Sequence, residues 1–200
     1  MLRHDIAIAT LAGTLAAILW VPLIGHLIDH GRVSGLLLFA IPAIFAAGLV
    51  VGAWLGEWRP FFHRLAKFAM VGVLNSGIDF TVFNALIAAT GIEKGPELAA
   101  FKSLSFVAAI INSYLWNRYW VFAYESSAER AREIASFLTV TISGFVINVG
   151  ITALIANAFA APFGVTQIAW DNVAAGIAIL INLTWNFAGY HMVVFKKAIV

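Results

Sequence analysis

NSYLWNRYWVF, residues 112–122, closes a long apolar run and breaks it with asparagines, an arginine and a cluster of aromatics. A related pattern, NLTWNFAGYHMVVF, returns at residues 182–195. The apolar stretch ahead of each copy is near the ~20 residues that a helix needs to cross a bilayer. Each copy therefore reads as a spanning helix arriving at a membrane surface. Trp116, Tyr119, Trp120, Trp185 and Tyr190 suit the aromatic belt at that surface. Asn112 and Asn182 do not, because they fall before it, at a depth where an unsatisfied polar group costs several kcal/mol.

Working outward, the rest of the chain is equally apolar. Of 200 residues, 62% are hydrophobic and 11% charged, far from the roughly 25% charge of soluble domains, so the chain reads as an integral membrane protein. Six windows are long enough to span: Ile6–Ile28, Gly35–Leu55, Phe68–Ala89, Leu98–Trp116, Ile134–Ala158 and Ile168–Ala188. The first is too long for a signal peptide, contains Trp20, Pro22 and His26, and lacks a small-residue cleavage site, so it is expected to stay in the mature protein. Without cysteine, neither disulfides nor thiolate–metal sites hold the fold. Threading six spans puts Arg3, Arg59, Arg64, Lys67, Arg118, Arg130, Arg132, Lys196 and Lys197 on one side. The positive-inside rule then predicts a multi-pass protein of the cytoplasmic membrane with both termini cytoplasmic. The loops GEWRPFFHRLAK and AYESSAERAREIAS would face the cytosol, and no contiguous basic face is large enough for nucleic acid.

The charged segment around Pro60 marks the best internal boundary, giving an N-terminal transmembrane hairpin over 1–60 and a four-helix membrane domain over 61–200. Within the latter, a shift of 69 residues carries Phe68 to Phe137, Asp79 to Asn148, Lys102 to Asp171 and Asn117 to Asn186, and Trp116 to Trp185. The two hairpins start on the same side, so they are expected to be related by an axis along the membrane normal. The predicted fold is all-α, with six transmembrane helices: one extra hairpin and two tandem hairpin repeats.

FAMVGVLNSGIDFTVFNAL (residues 68–86), NSYLWNRYWVF and the ending NFAGYHMVVF together resemble the GtrA-like family of small membrane proteins, over about residues 65–195. Asn75, Asn117, Arg118, Val121 and Phe122 match the first-copy motif, and Asn182, Asn186 and Phe195 the second. Thr141 and Asp171 stand near places where some members carry basic residues. The resemblance implies a four-helix protein, not an enzyme, that translocates a polyprenyl-phosphate-linked sugar for cell-surface polysaccharide glycosylation. It is silent on the hairpin at 1–60.

Such a lipid needs a cation or N–H donors for its phosphate and amides or carboxylates for its hydroxyls. Arg118 can pair two phosphate oxygens with its planar fork, or can simply anchor the helix end among headgroups; both readings are open. Asp79 lies eleven residues past Phe68, about 16 Å in at ~1.5 Å per residue, near the middle of a core about 30 Å thick. Asn75 is on the same face one turn earlier, and Asn148 takes the equivalent depth in the second repeat. This polar layer, with Asn112, Asn117, Asn182 and Asn186, can bind sugar hydroxyls, or Asp79 can take up a proton. As pure structure, such groups would hold helices together by about 0.6–2 kcal/mol each. Lys102 and Asp171 are expected to form a structural ion pair, unless Lys102 snorkels to the surface.

His26, His30 and His63 do not space as a metal set, and GVLNSG lacks the Lys-Ser/Thr of a phosphate-binding loop, so neither metal, cofactor nor nucleotide hydrolysis is expected. The expected partners are the polyprenyl-phosphate sugar lipid, membrane lipids and further copies of this chain, since a few short helices enclose little volume. No soluble segment is large enough to synthesise that lipid. Two other readings stand: a membrane adaptor that anchors a polyprenyl-phosphate glycosyltransferase, and a small-molecule exporter.

Overall fold

The computed structural model describes residues 2–27, 31–92, 94–125, 129–159, 161–162, 164 and 166–196, with the side chains of 23–27, 31–34, 168–169 and 171–172 outside the description. The described residues form helices and no strand: α1 (Leu2–Leu27), α2 (Gly31–Gly56), α3 (Pro60–Thr90), α4 (Glu97–Trp116), α5 (Arg130–Ala158) and α6 (Gln167–Gly189). Wider π-helical turns extend α4 and α6, π1 (Asn117–Val121) and π2 (Tyr190–Val194). Six of the described helices are long and apolar enough to cross a membrane, which makes this an all-α membrane protein.

The segment read as a loop at 56–67 is mostly helix. Arg59 is extended, with φ −147°, and Pro60 opens α3, a position where its fixed φ helps and its missing N–H is not needed. At 31 residues, α3 is about 46 Å long, well beyond a bilayer core of about 30 Å. Its charged first turns, with His63, Arg64 and Lys67, therefore extend the spanning helix rather than precede it.

The chain divides into two compact units, Met1–Ala123 and Tyr124–Val200. The boundary in packing thus falls after π1 and not near residue 60, because the N-terminal hairpin packs on α3. In the first unit, Gly13 of α1 lets α2 approach so closely that a Cβ there would stand 2.7 Å from Pro42 Cα. Gly52 of α2 does the same for α3, where a Cβ would collide with Ala66. Trp20 of α1 lies over Gly77 of α3, donates its indole N–H to the Val73 carbonyl at 3.1 Å, and meets Phe80 with ring centroids 5.6 Å apart. With no water in the bilayer to drive burial, small residues that admit close backbones carry such packing.

The second unit is the α5–α6 hairpin with π2. Phe137 stacks on Tyr190 at 4.6 Å, and Gly189 rests on Val140. The repeat holds where the hairpins begin: Phe68 and Phe137, and Val71 and Val140, are all buried, 69 residues apart. It slips where they end. Phe122 N–H bonds to Asn117 O at 2.9 Å and Phe195 N–H to Tyr190 O at 2.8 Å, so the π turns correspond at 73 residues. The reason is length: α4 has 20 residues and α6 has 23, close to one additional turn. Asn117 therefore matches Tyr190 in place, and Asn186 lies within α6, ahead of π2.

Gly52→Ala is expected to cost about 1–3 kcal/mol by overpacking, seen as a lower unfolding temperature in detergent. Gly150→Ala, where a Cβ meets nothing within 4 Å, should be neutral or gain up to about 1 kcal/mol from helix propensity.

Candidate functional site

Polar residues recur on α3 at Asn75 and Asp79, and on α4 at Lys102, Ser105 and Asn112. Residues three, four and seven apart share one helix face, so both sets turn toward the seam between the two helices. Asn112 Nδ2 donates to Asn75 Oδ1 at 2.6 Å. Closer to the α3–α4 turn, Asp79 accepts from Ser105 Oγ at 2.6 Å and, through its other oxygen, from Lys102 Nζ. Ser105 is fully buried, whereas the Lys102 side chain is 51% exposed and that of Asp79 21%. The Lys102 ammonium also lies 5.8 Å from the Phe80 ring centroid and 5.7 Å from that of Phe83.

This arrangement bears on two expectations. Lys102, expected near the outer surface opposite Asp171, reaches inward along the seam and pairs with Asp79 of its own hairpin. The Asp171 side chain lies outside the described residues. Asp79, in turn, has a cation and a hydroxyl of α4 as donors, so it joins the two helices with charged as well as neutral partners. The depth count from Phe68 placed the two residues on different levels. Asp79 is eleven residues from the end of α3 and Lys102 five from the start of α4, a gap that a lysine stem closes.

At the other end of α4, π1 buries its polar residues. Asn117 is 0% and Arg118 1% exposed. Asn117 Nδ2 donates to the Ser113 carbonyl at 2.8 Å, and Arg118 Nη1 to the Tyr114 hydroxyl at 3.2 Å. The Arg118 guanidinium also lies 5.5 Å from the Tyr119 ring centroid.

Beside π1 stands a cluster that sequence reasoning missed. Asp5 of α1 accepts at Oδ1 from Lys67 Nζ, 2.7 Å, and from the Trp120 indole, 3.1 Å, while its Oδ2 lies 3.1 Å from His63 Nε2. Lys67 Nζ is also 3.5 Å from the Trp120 carbonyl oxygen and 5.5 Å from its ring centroid. Asp5 and Lys67 are both buried. The first apolar window was read from Ile6, one residue past the carboxylate. An acidic side chain at the mouth of an apolar helix was the available signal.

In the second unit, Asn186 Nδ2 donates to Asn182 Oδ1 at 3.0 Å, and both amide oxygens crowd Gly144, where a Cβ would stand 2.5 Å from each. Trp185 donates to Ser143 Oγ at 3.0 Å, and the Thr141 and Tyr190 hydroxyls are 2.6 Å apart. Asn148 is half-buried on α5, and its carbonyl accepts from Thr152 Oγ1. Among the described residues no group of His, Asp or Glu is arranged to hold a metal ion.

Comparison with known proteins places these residues in a family context. A family model described as GtrA/DPMS, transmembrane domain, matches residues 67–195, which includes α4 to π2 and begins inside α3. The uncharacterized membrane protein YngA of Bacillus subtilis (strain 168) is 38% identical over 95 residues, 48% of this chain and 57% of YngA. The chain thus spans little more than half the length of that relative. No solved structure matches. The matched region takes in Asn75, Asp79, Lys102, Asn112, Asn117 and Arg118, and leaves out Asp5 and His63.

Replacing Asp79 by Asn and Lys102 by Met, singly and together, should give non-additive losses of unfolding stability, with a coupling on the order of 0.5–3 kcal/mol. Strict additivity in detergent-solubilised protein would show that the two side chains act separately.

Proposed function

The chain belongs to the GtrA/DPMS transmembrane domain family, and on that premise we propose that it translocates a polyprenyl-phosphate-linked sugar across the cytoplasmic membrane for cell-surface polysaccharide glycosylation. The observation that carries this reading is the polar seam between α3 and α4. From Lys102 to Asn112 it extends over ten residues of α4, about 15 Å of a core about 30 Å thick. Its members bond one another across two helices, in pairs that a sugar's hydroxyls can replace one at a time. Asn75 and Asn112 then exchange their amide–amide bond for hydroxyl contacts, while Ser105 and Asp79 do the same farther along.

Lys102 is the phosphate contact in this reading, because its ammonium is half-exposed while Arg118 is buried against Tyr114 and Tyr119. Arg118 serves to hold the helix end. Asp5, Lys67 and π1 share one end of the first unit with Arg3, Arg59 and Arg64, an arrangement that supports a cytoplasmic N-terminus. The head group would then enter beside π1 and leave past Lys102. Asn148, Asn182 and Asn186 supply further amides in the second unit, and a second copy of the chain would widen the enclosure for the isoprenoid. Exchange down a gradient, maintained by a transferase that consumes the lipid outside, would suffice to drive net movement.

The test is transport of a radiolabelled polyprenyl-phosphate monosaccharide in proteoliposomes, read by its accessibility to a membrane-impermeant oxidant. Wild type should accelerate exchange, and Asn112→Ala and Lys102→Met should each slow it roughly tenfold or more, as expected for the loss of a hydrogen bond to a charged or buried group. Variants that exchange lipid at the wild-type rate would show that the lipid does not use the α3–α4 seam. A wild type no faster than protein-free vesicles would sink the transport reading.

A further inference from the structure

The hairpin that precedes the family region has no role in the reading above, yet one of its residues ends in the most polar buried contact of the first unit. Asp5 does not merely touch α3. Its Oδ1 receives both Lys67 of α3 and the indole of Trp120, so a single oxygen ties α1, α3 and π1 together. Lys67 reinforces the same tie from below, over the Trp120 ring and beside its carbonyl oxygen. Trp120 is the fourth residue of π1 and stands two residues from Arg118; its ring also meets Trp116 edge-on at 5.4 Å.

π turns are rare, short and frequent at functional sites, and π1 has support from outside α4. Here that support comes from a charge held in an apolar surrounding, where a hydrogen bond to an ionised group is at its strongest. The rest of α1 docks by a separate set of contacts. Trp20 on Val73 and Gly77, and Thr81 Oγ1 to the Leu19 carbonyl at 3.4 Å, lie fifteen residues along α1, about 22 Å away. Attachment of the hairpin and support of π1 are therefore separable.

We propose that Asp5 is a positioning residue: through Trp120 it fixes the conformation of π1 and with it the orientation of Asn117 and Arg118, making the N-terminal hairpin a working part of the site. The inference rests on the reading that the π1 end belongs to the translocation path, but its main readout does not use transport. In full-length protein in nanodiscs, the indole N–H of Trp120 and that of Trp20 give two assigned nitrogen–proton resonances. Asp5→Ala should shift the Trp120 signal upfield, speed its hydrogen exchange roughly tenfold or more, and move the Arg118 side-chain signals, while Trp20 stays in place. Asp5→Asn, which keeps an oxygen acceptor but loses the charge, should give a smaller change in the same signals; if Asp5→Ala does not fold, this variant decides alone. An unmoved Trp120 signal would overturn the proposal. So would equal movement of Trp20 and Trp120, because that pattern means the hairpin has simply come away. In proteoliposomes, Asp5→Ala should slow lipid exchange severalfold, with Asp5→Asn closer to wild type. If wild type itself exchanges no lipid, the transport reading falls while the resonance data still judge Asp5.

Discussion

Inside a bilayer no water is available to satisfy a polar group, so every amide, carboxylate and ammonium must find its partner within the protein. That constraint organises α3. Its polar side chains point in two directions, and each direction has a partner helix: Asn75 and Asp79 bond to α4, while His63 and Lys67 bond to Asp5 of α1. The glycines add the third side, with Gly52 bringing α2 against Ala66. A helix carrying two charges and an amide along its middle and lower turns could not stand alone in lipid. The surrounding helices are the solvent it lacks.

The sequence disclosed the spans because hydropathy over some twenty residues is a strong signal, and the six windows agree with six helices. The ends were less legible. Charges at His63, Arg64 and Lys67 look like a loop when each is weighed by itself; Pro60 sets the start of α3, and Asp5 gives His63 and Lys67 a partner within the helical run. Pairing was the least legible of all. Lys102 was matched to Asp171 by charge and by the repeat, because depth counted from an assumed helix start set Asp79 on another level. The same argument applies to Asp5, which the edge of a hydropathy window discarded although its partners lie 58, 62 and 115 residues away.

The repeat shows how duplication and divergence look in physical terms. Its beginning is held in register by buried apolar residues, Phe68 with Phe137 and Val71 with Val140, because a change there would leave a hole or a clash. Toward the end, α6 has gained close to a turn over α4, and the polar residues have changed their company. Asn117 sits in π1, bonded to the Ser113 carbonyl, whereas Asn186 lies inside α6, bonded to Asn182 over a glycine. What the two copies keep is the terminal Phe, buried at both Phe122 and Phe195 by a π turn that closes on it. The backbone feature is thus better preserved than the side chains it carries.

The α3–α4 seam is not held equally along its length. Near π1, Asp5 and Lys67 grip Trp120 through both its indole and its carbonyl, in a region where Asn117, Arg118 and Val121 are all buried. Midway, one amide pair joins the helices. At the far end Asp79 takes both the buried Ser105 hydroxyl and the half-exposed Lys102 ammonium, and the loop beyond has Gly91 and Gly95 at positive φ. α3 itself is fixed on its other sides by Trp20, Thr81 and the Gly52 contact. α4 is thus joined to α3 at three levels, and at π1 a third helix shares the bond. The extra hairpin and the seam are two aspects of one design: α1 adds a third helix to the π1 end of α4, while the other end carries the half-exposed lysine of the seam.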